Sequence, residues 1–153
     1  MSGRIKFRAY ADASCCFWVE VRVFENRRDM CRDIRRCAGA GEPREAHHKR
    51  FQTAGQVNGA TFYRGGKKTG AFAVMWLNRK DILKTPSEIA AHEATHAALR
   101  YFERRGWPVC LHQETRDGAP DVHERRLEER LAYAVGRINK YLTRGLFRCG
   151  VWK

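Results

Sequence analysis

One apolar strand followed by two helices with recognisable ends places the strongest constraint on the fold of this chain. Residues 71–77 form a continuous apolar run, the clearest strand pattern in the sequence. A first helix is predicted over residues 86–105. Thr85 and Glu88 form a capping box at its start, and Gly106 is a typical residue to end it. The sequence therefore predicts a strand that leads directly into a long helix.

A second helix is predicted after Asp121, because Asp121 and Glu124 repeat the capping pattern. It carries an amphipathic stripe made of Leu127, Leu131, Ala134, Ile138 and Leu142. Residues 106–120, which join the two helices, form a longer connection than compact domains usually carry without a functional reason.

The first half of the chain contributes the rest of the sheet. Residues 5–10 and 17–24 are predicted strands, and residues 26–38 form a short helix by the spacing of their apolar side chains. Residues 39–70 are polar and rich in glycine, which indicates a loop or hairpin region with a short strand at 60–63. The predicted fold class is α+β, with a small antiparallel or mixed sheet packed on the first long helix and on the C-terminal one.

Length and hydropathy give the domain organisation. A chain of 153 residues is expected to form a single domain over 1–153. In that domain, residues 1–70 supply strands, a short helix and loops, and residues 71–142 supply the core. No apolar run approaches the roughly 18 residues of a membrane span, and no apolar segment follows the basic N-terminus. We therefore expect no membrane partner and a cytoplasmic location.

The six cysteines do not form a metal or redox motif. No C-x-x-C pair occurs, so the sequence favours neither a zinc ribbon nor a thioredoxin-like site. We expect reduced, structural cysteines, with Cys15 and Cys16 packing beside the strand that begins at Phe17.

The charge balance indicates a polyanionic partner. The formal net charge is +13, and arginine supplies 22 of the 30 basic residues. Such a surface attracts nucleic acid or an acidic protein, and arginine binds phosphates and carboxylates with a planar fork of donors. A simple solvated basic surface is the alternative, because no nucleic-acid-binding motif accompanies the charge.

The sequence His92-Glu93-Ala94-Thr95-His96 is an H-E-x-x-H motif inside the first long helix. Residues four apart share a helix face, so His92 and His96 can bind one metal ion, and Zn²⁺ suits imidazole ligands with an open position for water. Glu93 would then act as the general base on that water. A helical wheel places Glu93 on the same side as both histidines. The alternative is two surface histidines that are four apart by chance.

The third ligand is less defined. Leu99 and Phe102 stand where the longer metzincin motif requires glycine and histidine, which excludes that family. The segment from Glu128 to Gly136 resembles the gluzincin arrangement, as in ImmA/IrrE-type peptidases and small metallopeptidases of phages and mobile elements. This resemblance covers residues 71–142 and implies a minimal zincin-like fold. It also implies Glu129 as the third zinc ligand, with Ala132 and Gly136 packing on the H-E-x-x-H helix; helix phase leaves Glu128 as the alternate.

Other residues remain open. His112 follows His96 by 16 residues, a spacing similar to that of Spartan-like proteases, and is a further candidate ligand. Tyr133, His112 or Arg137 can supply a donor to the developing oxyanion, and Tyr133 is the residue we select.

The leading hypothesis is therefore a zinc-dependent peptidase that hydrolyses peptide bonds in a protein or peptide substrate. An alternative is a basic nucleic-acid-binding accessory protein with a zincin-like core and no peptidase activity. A third is a partner-binding domain in which the motif is fortuitous.

Overall fold

The computed structural model describes residues 5–38, 55–58, 70–108 and 122–153. Along the chain these form, in order, β1 (Ile5–Tyr10), β2 (Phe17–Phe24), α1 (Arg27–Ala38), β3 (Gly55–Asn58), β4 (Gly70–Asn78), α2 (Arg79–Ile82), α3 (Pro86–Arg105) and α4 (Val122–Arg148).

The four strands form one mixed sheet in the order β1-β2-β4-β3. β1 and β2 are antiparallel, β2 and β4 are parallel, and β3 and β4 are antiparallel. The predicted α+β class with a mixed sheet is confirmed. β4 is an interior strand, and β1 and β3 are the outer strands of the described sheet.

The apolar run of β4 is buried because helices cover both faces of the sheet. Phe72, Ala73, Met75 and Leu77 belong to the larger core, which contains the buried sides of α3 and α4. Val74 and Trp76 point to the other face, where they pack with Met30 and Ile34 of α1. A strand covered on both sides has no solvent-facing positions, which explains why apolar residues follow one another without alternation.

A buried polar cluster fixes α1 to the sheet. Asp33 on α1 accepts a 2.8 Å hydrogen bond from the Nε1 of Trp76 and a 2.7 Å hydrogen bond from Arg22. Glu20 accepts a further bond of 2.6 Å from the Nε of Arg22. These bonds satisfy a carboxylate and a guanidinium that are both 8% exposed.

The ends of the helices only partly follow the predicted capping. Gly106 ends α3 in the left-handed conformation, with φ 66°, and its N–H donates to the carbonyls of Phe102 and Glu103. The predicted capping box is wrong in one respect, since the Thr85 side chain makes no capping hydrogen bond. The short helix α2 was not predicted, although Asn78 caps it by accepting a hydrogen bond from the N–H of Asp81.

The C-terminal helix is longer than predicted and packs on both α3 and β1. Its apolar stripe lies in the core from Leu127 to Leu142 and continues to Leu146. Gly145 allows the helix to approach β1 closely, because a Cβ at this position would overlap the ring of Phe7.

Two other expectations fall partly outside the described residues. The proposed strand at 60–63 and the chain from 109 to 121, which includes Asp121, lie outside them, whereas β3 lies in a region predicted as loop or hairpin.

The five described cysteines are free, but Cys15 and Cys16 are exposed rather than packed. Asp12 and Ser14 lie in the tight turn before them and hold this segment at the surface. None of the described helices has the length and hydropathy needed to cross a bilayer.

Candidate metal centre

The H-E-x-x-H motif occupies the middle of α3, and its two histidines point the same way. Their Nε2 atoms lie 3.1 Å apart, and the ring centroids are separated by 4.6 Å with the planes at 76°. Both side chains are exposed. The i,i+4 spacing therefore brings two imidazole nitrogens to one point on the helix surface, as the sequence predicts.

This separation is compatible with a shared metal ion. Two nitrogen ligands of a tetrahedral zinc ion, with Zn–N distances of about 2.0–2.1 Å, lie about 3.3 Å from each other. Without a metal, the same 3.1 Å contact is a hydrogen bond in which one imidazole donates and the other accepts. The hydrogen bond requires one unprotonated ring nitrogen as acceptor, and metal binding requires one from each ring.

The surroundings of His96 favour the neutral form of its imidazole. Burial lowers the pKa of His96, and the neighbouring His92 and Arg100 lower it further. A histidine binds a metal through its unprotonated nitrogen, so a lowered pKa keeps the ligand form populated at neutral pH.

Glu93 differs from the histidines because it lies on the buried side of α3. Only 3% of its surface is exposed, and Ala90, Ala94 and Ala97 are buried on the same side. The predicted wheel was wrong in grouping Glu93 with the exposed histidines. Small alanine side chains let the packed elements approach closely, so the neighbouring Glu93 is enclosed as well.

The buried carboxyl of Glu93 lacks a full set of partners. Its Oε2 is buried and has no hydrogen-bond partner among the described residues. By contrast, Arg22, Asp33 and Asn78, the other buried polar residues of the described chain, all have hydrogen bonds. A buried polar atom without a partner carries a desolvation cost of about 1–3 kcal/mol, and in native proteins such atoms often mark catalytic groups or unseen ligands.

Burial also changes the acidity of this group. It raises the pKa of Glu93 to about 7, because the charged form loses its hydration. A carboxyl that titrates near neutral pH can both accept and return a proton under physiological conditions. α3 therefore carries a buried carboxyl with a pKa near neutrality at the position that follows His92.

The described residues do not assemble a third ligand around the histidines. Across residues 5–38, 70–108 and 126–153, no three His, Cys, Asp or Glu side chains are grouped closely enough to hold a metal ion. Glu128 and Glu129 are both exposed in the early part of α4. His112 lies outside the described residues.

The packing expected around Glu129 is not found. Ala132 and Gly136 are exposed, and a Cβ on Gly136 would meet no atom within 4 Å, so these small residues do not pack on α3. Leu127, Ala134 and Ile138 form the contact side instead, since apolar burial decides which side of α4 faces the core.

Tyr133 is 77% exposed and lines a hollow with Arg137, Lys140 and Tyr141. The described residues of this hollow all belong to α4, and none comes from α3. Its role as an oxyanion donor therefore stays a prediction.

One of the strands that contact α3 was missed in the sequence. β3 pairs with β4, contacts α3 and is the outer strand on this side of the described sheet. Four residues with one apolar side chain, Val57, give too weak a pattern to predict, although the flanking glycines at 55 and 59 mark possible strand ends.

Comparisons of the chain with models of protein families, with curated proteins and with solved structures give no match. The gluzincin resemblance thus rests on the residues of α3 and α4 alone.

Proposed function

We propose that this protein is a zinc-dependent peptidase in which His92 and His96 bind the metal and Glu93 is the general base. Two observations support this most strongly: the imidazole nitrogens of His92 and His96 lie 3.1 Å apart, and the carboxyl of Glu93, one residue along α3, is buried and incompletely bonded. A fortuitous pair of surface histidines gives no reason to keep a carboxylate at 3% exposure on the neighbouring position.

The reaction divides between the metal and the chain. A bound zinc ion would supply Lewis acidity, which lowers the pKa of water and polarises the scissile carbonyl. Glu93 takes a proton from the attacking water while the water oxygen forms a bond to the carbonyl carbon. Glu93 then gives that proton to the amide nitrogen as the C–N bond breaks, which leaves a carboxylic acid and an amine. A pKa of about 7 suits both transfers.

Substrate alignment is assigned to β3. An extended peptide can hydrogen-bond to the outer strand of a sheet. This pairing would hold the scissile carbonyl at a fixed position relative to α3. In the described sheet β3 is the outer strand that contacts α3, whereas the apolar strand β4 is paired on both sides. This arrangement supports a protein or peptide as the substrate class.

The third ligand is proposed to be Glu129, with Glu128 as the alternate. Both lie on α4, which packs against α3, and both carry the carboxylate oxygen that zinc accepts in catalytic sites. We do not assign the oxyanion donor, because the hollow that Tyr133 lines has no described residue from α3.

The test is the zinc content of purified protein by elemental analysis, together with cleavage of an unfolded, fluorescently labelled casein. Wild type should hold about one zinc per chain. Glu93→Gln should keep the metal and lose cleavage, whereas His96→Ala should lose both. Glu129→Ala should lose zinc, and Glu128→Ala is its matched control. No zinc after reconstitution, or undiminished cleavage by Glu93→Gln, would overturn the proposal.

A further inference from the structure

A second surface, lined by basic residues and tyrosines, lies at the other edge of the sheet, between β1 and α4. Two adjoining hollows meet at Tyr141 and together form what we term the β1–α4 groove. The larger hollow has a volume of about 520 Å³. Cations from both elements line the groove: Lys6, Arg8, Arg137, Lys140, Arg144 and Arg148.

The described residues that line the groove carry basic charge without compensating acids. None of its described lining residues is Asp or Glu. Within the described chain, Lys6 has an ion pair with Glu20 at 3.7 Å, and Glu20 is shared with Arg22. The other five cations have no ion pair with a described residue. Convergent cations raise the local potential, which must be balanced by counterions or by an anionic ligand.

Aromatic rings are interleaved with these charges. Tyr10 of β1 and Tyr141 of α4 meet edge to face with centroids 5.1 Å apart, which ties together the two sides of the groove. The Cζ of Arg8 lies 4.4 Å from the ring centroid of Trp18. Tyr133 is 77% exposed and lines the same hollow as Arg137 and Lys140. An exposed tyrosine ring among cations offers a flat surface on which a planar group can stack.

We propose that the β1–α4 groove binds single-stranded nucleic acid. Cations that follow a groove neutralise successive phosphates, and exposed rings stack on bases; both features together are typical of single-strand binding. A duplex keeps its bases inside the helix and would leave Tyr133 uncovered. An acidic peptide would satisfy the charges but has no planar groups to stack on the rings.

The groove is separate from the candidate metal centre. β1 and β3 are opposite outer strands of the sheet, and the histidines lie on α3, beside β3 and β4. The nucleic-acid interface therefore goes beyond the proposed peptidase activity, and a His96→Ala protein should still bind nucleic acid.

The experiment measures binding of fluorescently labelled dT12 by anisotropy over a range of salt concentrations. Arg144→Gln/Arg148→Gln should weaken binding about tenfold or more near 0.1 M salt. It should also reduce the slope of log K against log salt by about 1.4, since each phosphate contact in a single strand contributes about 0.7.

A matched control removes the same charge elsewhere. Arg28 and Arg36 are exposed on α1, which covers the opposite face of the sheet, and neither has an ion pair with a described residue. Arg28→Gln/Arg36→Gln should change the affinity less than about twofold, because distant exposed charges are screened at this salt concentration. Equal losses of dT12 affinity in the two double variants would show diffuse electrostatic attraction. That result would overturn the assignment of binding to the β1–α4 groove.

The stacking contribution is tested with a second probe, an abasic 12-mer of the same charge. It should bind more weakly than dT12. Tyr133→Ser should weaken dT12 binding about fivefold or more but leave the abasic strand unaffected. Equal binding of dT12 and the abasic strand, or displacement of dT12 by polyglutamate at matched charge, would overturn the proposal in favour of a general polyanion or acidic-peptide surface. Absence of binding near 0.05 M salt would also overturn it.

Discussion

The Nε2 of His92 lies 3.1 Å from the Nε2 of His96 on the exposed side of α3. The two rings are held by a helix that is anchored through its other side, where Ala94, Ala97 and Ala98 are fully buried. The pair is therefore positioned by the fold before any metal binds, so a metal would meet two ligands with little rearrangement.

Zinc should stabilise the folded protein through this pair. A ligand at one hundred times its Kd adds about 2.7 kcal/mol, which corresponds to a rise in Tm of about 5–10 °C for a chain of this size. The rise should be absent in His92→Ala/His96→Ala, as measured by thermal unfolding with and without zinc. Thr95→Ala is a control on the same exposed surface and should retain it. An equal rise in the double variant would place the metal elsewhere.

Glu93 should make the stability of the metal-free protein depend on pH. Its folded pKa of about 7 lies above the unfolded value, so its stabilising effect is complete below about pH 4.3 and is lost as pH rises through 7. The size of the shift corresponds to a loss of about 4 kcal/mol in unfolding free energy. Glu93→Gln does not titrate. The difference in unfolding free energy between wild type and this variant should therefore change between pH 4 and 8, and a constant difference would contradict a buried, titrating carboxyl.

Two glycines of α4 should respond in opposite ways to alanine. Gly145→Ala should lower the free energy of unfolding by about 1–3 kcal/mol, because the added methyl overlaps the Phe7 ring. Gly136→Ala should raise it by up to about 1 kcal/mol, since that position is open and alanine favours the helix. Urea unfolding measures both. In a Phe7→Leu background the Gly145→Ala loss should shrink, and an unchanged loss would point to another cause.

The buried cluster around Asp33 should contribute strongly to stability. Asp33→Ala leaves Arg22 without its buried carboxylate and the Nε1 of Trp76 without an acceptor. The expected loss is about 3–5 kcal/mol in chemical unfolding. Glu103→Ala is the control, because its ion pair with Arg100 is exposed and should contribute less than about 1 kcal/mol. Similar losses in both variants would contradict the role of burial.

Local patterns in the sequence were sufficient for most elements of the fold. The predicted strands β1 and β2 have the observed bounds, β4 extends the predicted run by one residue at each end, and α3 runs from Pro86 to Arg105 as expected. Such elements depend on hydropathy period and on helix ends, which are properties of neighbouring residues. The same locality places His92 and His96 on one helix surface, because four residues make about one turn.

Only the tertiary structure decided what surrounds those elements. Glu93 is one residue from His92, yet it is buried because the packed elements enclose the alanine side of α3, which no pattern within α3 reveals. β3 is defined by its pairing with β4 rather than by its own four residues. The groove joins Arg8 to Arg144, which are far apart in the chain, because α4 packs on β1 through the space left by Gly145. The sequence by itself determined the elements and the spacing of the motif; burial and long-range packing decided the environment of Glu93 and the convergence of the cations.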